Sequence, residues 1–109
     1  MGRARRRVVL RPKADLDLDL LLEYLAIETG LATARRFLQA FQRTCETLLR
    51  NPERGSARSF GNPRLAGLRI WPVKGFRRHL IFYVPSAKTI ELVRILHGAR
   101  DVASLLGED

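Results

Sequence analysis

The sequence predicts an α+β fold, and three observations predict it. Apolar residues recur with helical spacing twice in the first half of the chain. The second half holds three short runs rich in β-branched and aromatic residues, separated by turn signals at Lys74–Gly75 and Pro85–Ser86. A single turn, centred on Gly30, joins the two helical stretches, so they are expected to form an antiparallel hairpin. With 109 residues the chain suits one domain, 1–109, in which 1–5 read as a flexible basic tail.

Residues 6–10 suit a short strand that stops before Pro12. Pro12 itself fits the first turn of a helix, where its missing N–H is not needed. The alternation from Asp15 to Leu20 imitates a strand. The longer window decides for helix, because Leu18, Leu21, Leu22 and Leu25 fall at i, i+3, i+4 and i+7 while Asp15, Asp19 and Glu23 line another side. Gly30 gives the stop. A second helix runs from about Ala32 to Arg50, with Ala34, Phe37, Leu38, Phe41, Cys45 and Leu48 on one stripe, and Asn51–Pro52 end it.

Residues 51–66 read as a loop. The expected strands are Leu68–Val73, Arg77–Val84 and Thr89–Leu96, a three-stranded antiparallel meander packed on the helices. The middle run is apolar on both sides and therefore central. Pro72 places its strand near an edge, or at an end. The segment from Asp101 to Leu106 has room for a short closing helix, with Asp101 at its N-cap.

Charge supplies the main functional clue. The net charge is +9, and Arg58 to Arg100 holds nine Lys or Arg against one acid, Glu91. On strands this excess must produce a strongly positive surface, which attracts a polyanion or an acidic protein. No apolar run is long enough for a signal-peptide core or a membrane span, so a cytoplasmic protein with no membrane contact is expected. The lone Cys45 excludes an internal disulfide and suits a small buried hydrophobe. His79 and His97, without a clustered carboxylate, make no metal site, and no cofactor motif is present.

The joints between these elements carry a resemblance. Pro12 and Ala14 open the first helix, Asp15–Leu16 follow and Tyr24 comes later; Leu49, Asn51, Pro52 and Gly55 spell an L…NPxxG segment. LAGLRIWPVKGFRRHLIFY (65–83) pairs a leading Leu-Arg with a hairpin and an R-x-x-I-x-Y strand, and RILHGARD (94–101) closes the pattern. In this order the motifs resemble the ParE/RelE superfamily of toxins from bacterial type II toxin–antitoxin systems, over residues 6–106. The resemblance implies a small curved sheet with a helical hairpin against it, neutralised by an acidic antitoxin. It also implies a choice of targets: ParE-like members poison DNA gyrase, whereas RelE-like members cleave mRNA on the ribosome. A plain basic nucleic-acid-binding module is the remaining alternative, since fold does not fix function.

Cleaving RNA requires a base for the 2′-OH, an acid for the leaving oxygen and cations for the transition state. The candidates for such a set are Arg69, Arg78, Tyr83, Arg94 and His97, with Glu91 as the sole nearby acid. Some ribonuclease members of the superfamily carry a C-terminal His–Tyr pair, but here Gly98 follows His97. His97 is therefore expected to cap the last strand, Tyr83 to sit at the core edge, and Arg94 to pair internally with Asp101 or Glu91 unless it meets the target. The ParE-like reading is preferred, with growth arrest through gyrase. Its expected target contacts are Arg69, Trp71, Arg77, Arg78 and Arg94; its expected antitoxin contacts are Leu22, Leu25, Phe37, Phe41, Arg69 and Arg78.

Overall fold

The computed structural model describes residues 6–107; the basic run read as a tail, 1–5, lies outside them. The elements are β1 (Arg7–Leu10), α1 (Pro12–Thr29), α2 (Leu31–Arg50), β2 (Ser56–Ala57), β3 (Arg69–Val73), β4 (Phe76–Pro85), β5 (Thr89–His97) and α3 (Val102–Gly107). They form the expected α+β order with one mixed five-stranded sheet, β1-β5-β4-β3-β2. β1 lies parallel to β5, from Arg7 opposite Thr89 to Leu10 opposite Leu92, and the remaining pairs are antiparallel.

Pro12 starts α1 at its first turn, and Gly30 alone separates the two helices. Its φ of 103° lies in the region that disfavours a Cβ, so the one-residue connection depends on glycine. The apolar stripe of α2 then faces the sheet. Ala34, Phe37, Phe41, Cys45 and Leu48 pack with Ile81, Tyr83, Ile90, Leu92 and Ile95 in the main core. Burial, with a smaller contribution from Glu46, pushes the Cys45 thiol up to about 12, so it is an inert packing group.

Three local features depart from the sequence reading. The loop expected over 51–66 contributes β2 and a single 3-10 turn, Pro63–Leu65. β2 pairs only with Arg69 and Ile70, so that ladder has ended before Pro72. The β3–β4 register then shifts between Pro72 and Val73, which is how a proline fits next to the central strand. The third departure is a bulge opposite Phe82–Tyr83, which leaves Val93 without its own partner. By shifting the alternation one residue, it lets Ile90, Leu92 and Ile95 all join the helix-side core although their spacing is two and then three.

The other face of the sheet is also covered. Phe82, Val93 and Leu96 bury there against Leu65, Leu68 and Leu106, the last from α3. The doubly apolar β4 is therefore sandwiched, as its composition requires. Asp101 accepts a hydrogen bond from Ser104 N at 3.3 Å, the N-cap geometry expected for α3.

Candidate functional site

The NPxxG segment turns out to be a clamp on β4. Tyr83 is fully buried; its hydroxyl donates to the Pro52 carbonyl at 2.8 Å and accepts from Gly55 N at 2.9 Å. Burial raises its pKa, opposed by the Gly55 hydrogen bond and by Arg69, and this keeps the hydroxyl a donor. Arg69, opposite Tyr83 across the ladder, gives its Nη1 to the carbonyls of Gly55 at 2.6 Å and Glu53 at 3.0 Å. Both residues are committed to holding the 52–55 loop.

Arg94 is likewise taken, but by a partner the sequence did not suggest. Its Nε and Nη2 donate to the two oxygens of Asp17 on α1, at 2.7 and 2.9 Å, and Asp17 also accepts from Ile95 N at 3.0 Å. Arg94 is only 9% exposed, so it is corrected from a target contact to a tie between hairpin and sheet. The expected partners are used elsewhere. Glu91 accepts from Arg11 Nε at 3.0 Å and Nη2 at 2.6 Å, binding the start of α1 to β5. That pairing also removes Glu91 as a candidate base.

His97 caps its strand as expected, with Nδ1 accepting from Ala99 N at 3.0 Å. Its ring meets His79 edge-on at 5.3 Å, and His79 meets Phe37 at 5.4 Å. Tyr83 is four residues along β4 from His79, about 13 Å at strand rise. The would-be ribonuclease set is thus divided between the two ends of the strand, and of its members only Arg78 is exposed.

His79 offers a pH test of this end of the sheet. Burial first, then the charge of His97, lowers its pKa below 6.5. The unfolded chain therefore binds the proton more readily. The stabilising contribution is complete above pH 6.5 and is lost as pH falls from there through the folded pKa. Thermal unfolding from pH 8 to pH 5 should show this decline, and His79→Phe should flatten it. An unchanged slope in the variant would remove His79 as its source.

The expected antitoxin surface also needs correction. Leu25, Phe37 and Phe41 are buried in the core, and Leu22 is packed against it. Arg69 is occupied by the loop, so Arg78 alone of that set stands in the open. The apolar surface the hairpin does present is Leu16, Leu20, Tyr24, Ile27 and Leu31, each between 55% and 72% exposed. Leu16, Leu20, Tyr24 and Ile27, spaced 4, 4 and 3 along α1, share one stripe opposite buried Ala14 and Leu25, and Leu31 stands exposed at the start of α2. Sequence reading missed this stripe because α1 carries leucines on both sides, and only the neighbouring sheet decides which side is inside. Arg77 and Arg78 at the start of β4 are exposed, and Trp71 is partly so, with the Arg54 guanidinium 5.2 Å from its ring centre.

Among the described residues no group of His, Cys, Asp and Glu could hold a metal ion, and no helix is long and apolar enough to cross a membrane. Comparison with known proteins gives two findings. A family model described as the ParE toxin of the type II toxin-antitoxin system, parDE, matches residues 8–102. Among solved structures the fold is similar to a chain of the chromosomal ParDE TA system from P. aeruginosa. The TM-score is 0.68 at 19% identity, over 88% of this chain and 98% of that one. Curated proteins give no match.

Proposed function

The chain belongs to the ParE toxin family of type II toxin–antitoxin systems, and from this we propose that it arrests growth by poisoning DNA gyrase and is held inactive by an acidic antitoxin. One observation carries the choice of gyrase over mRNA cleavage. Arg69, Tyr83 and Arg94 are each held in structural bonds, and His97, whose Nδ1 caps its strand, lies at the other end of β4 from Tyr83. What is left exposed beside them is cationic, Arg77 and Arg78, and suits binding to a partner better than proton transfer.

The antitoxin reading is supported by two surfaces of different chemistry. The Leu16–Ile27 stripe of α1 fits the apolar face of an amphipathic helix. The exposed Arg77 and Arg78 fit acidic residues in the segment that follows such a helix. Asp19 and Glu23 flank the stripe, so the partner's acidic residues belong on the sheet and not along α1.

Expression of the chain alone should arrest growth. In purified form it should abolish supercoiling by gyrase while leaving in vitro translation intact, and Arg77→Ala/Arg78→Ala should blunt that effect in a folded protein. Co-expression with an acidic protein encoded beside it should restore growth. Leu20→Glu/Ile27→Glu should escape this rescue, with antitoxin affinity reduced by about 100-fold or more, because each exposed anchor contributes roughly 1.5–3 kcal/mol when covered. Loss of ribosome-bound mRNA with supercoiling intact would establish the endoribonuclease alternative instead.

A further inference from the structure

A second basic feature lies away from the exposed stripe of α1. Between the C-terminal half of α2 and the β3–β4 turn runs an open groove of about 620 Å³. Arg43 and Arg50 of α2, Arg54 of the following loop, Lys74 of the turn and Arg77 at the start of β4 line it, with Trp71 in its wall. All five cations are exposed, and none forms an ion pair with a carboxylate among the described residues. The groove holds one acid, Glu46.

Elsewhere the chain neutralises the arginines that its fold uses: Arg11 with Glu91, Arg94 with Asp17. Five mutually repelling charges around one concavity are a different case, and they favour an anion from outside. The size of that anion follows from the helix. Arg43 and Arg50 are seven residues apart on one face of α2, about 10 Å along its axis, and Lys74 and Arg77 stand across the groove. Cations spread over that length and across the groove suit several phosphates in a row better than one, so the expected ligand is an extended polyanion.

We propose that this groove binds a stretch of single-stranded nucleic acid, with phosphates on the five cations and a base against the Trp71–Arg54 pair. The stacked indole and guanidinium distinguish nucleic acid from an acidic peptide. They offer a flat π surface on which a base can stack and a carboxylate side chain cannot. Four of the five cations are arginines, whose planar fork grips phosphate and carboxylate oxygens alike, so the choice between the two rests on the aromatic pair. The inference goes beyond the gyrase reading and does not depend on it, because the groove needs no enzyme to be tested.

Trp71 is the only tryptophan of the chain, so its emission reports on this groove alone. Purified toxin should be titrated, without gyrase, against a fluorescein-labelled single-stranded DNA of about 20 nucleotides, a length chosen to exceed the site of one small domain. Binding should weaken with salt, the logarithm of affinity falling by about 0.7 per phosphate contacted for each logarithm of salt. Trp71 emission should be quenched as the oligonucleotide binds. Arg43→Ala/Arg50→Ala should lower affinity about tenfold or more and reduce the salt slope by roughly 1.4, with unchanged circular dichroism. Trp71→Leu should weaken binding at least about fivefold while preserving the salt slope, since stacking carries no counterion release. An unaltered affinity in the Arg43→Ala/Arg50→Ala variant, or no binding at low salt, would overturn the proposal. Poly-glutamate that competes as well as the oligonucleotide and quenches Trp71 equally would assign the groove to an acidic peptide. Failure to inhibit gyrase, with oligonucleotide binding intact, would reject the gyrase reading and leave this one standing.

Discussion

Replacing Asp17 by Ala is expected to cost about 3–5 kcal/mol, a large part of the stability of a domain this size. The substitution removes the two carboxylate oxygens of Asp17 that accept from the Arg94 guanidinium and the acceptor of Ile95 N–H in one step. It leaves a cation that is only 9% exposed without its carboxylate, in a strand between two apolar clusters. The midpoint of thermal unfolding should drop by more than about 10 °C. Arg77→Ala/Arg78→Ala, at exposed positions, should stay within about 0.5 kcal/mol of the parent. Replacing both members of the buried pair, as Asp17→Leu/Arg94→Met, should recover much of the loss, because most of the penalty comes from the stranded charge. A shift below about 2 °C for Asp17→Ala would mean that the pair does not hold the hairpin to the sheet. The comparison also protects functional experiments from a false positive: loss of toxicity in an Arg94 variant reports unfolding, whereas loss in the Arg77→Ala/Arg78→Ala variant reports contact.

Gly55→Ala is expected to destabilise by about 2–5 kcal/mol, combining steric overlap with lost hydrogen bonds. A Cβ at Gly55 would stand 2.6 Å from the Tyr83 hydroxyl and 2.9 Å from the Ile70 carbonyl, one of them backbone that cannot turn away. To relieve the overlap the 52–55 loop must lift. That breaks the bonds from Tyr83 to Pro52 and from Gly55 to Tyr83, and disturbs those from Arg69 to Glu53 and Gly55. Tyr83→Phe keeps the ring but orphans a buried N–H and a carbonyl, costing about 1–3 kcal/mol. The two changes should be less than additive, since removing the hydroxyl relieves the closest clash. Urea unfolding of the two single variants and the double variant measures this coupling. Strict additivity would mean that the clamp is not one unit.

The two cases explain why the same residues were easy to notice and hard to assign. Tyr83, Arg69 and Arg94 stand out in a list of chemistry-bearing side chains because a strand among Ile and Leu rarely tolerates them without a use. Whether that use is a reaction or a bond to another segment depends on what lies across the gap. For Arg94 it is Asp17, 77 residues away on α1, where a run of alternating Asp and Leu gives no hint of which acid turns inward. For Tyr83 it is a loop carbonyl and an amide, 31 and 28 residues away, groups that every residue carries and no sequence pattern marks.

The sequence by itself determined the element order, because local periodicity and turn chemistry act over a few residues. Leucines at helical spacing, a glycine at the one-residue helical connection and doubly apolar β4 sufficed for the α+β class and for a central strand. Its motifs, in order, also carried the family. The tertiary structure decided what no local rule reaches: that β1 runs parallel to β5, that a bulge at Val93 turns Ile95 toward the helices, and that loop and α3 close the second face. It also decided which cations are free. Ion pairing depends on distance in space, so Arg11, Arg69 and Arg94 are spent on the fold while Arg43, Arg50, Lys74 and Arg77 meet in one open groove. The sidedness of α1 follows the same rule. Leu25 is inside and Ile27 outside because the sheet lies on one side of the helix, a fact that belongs to the packing and not to either residue.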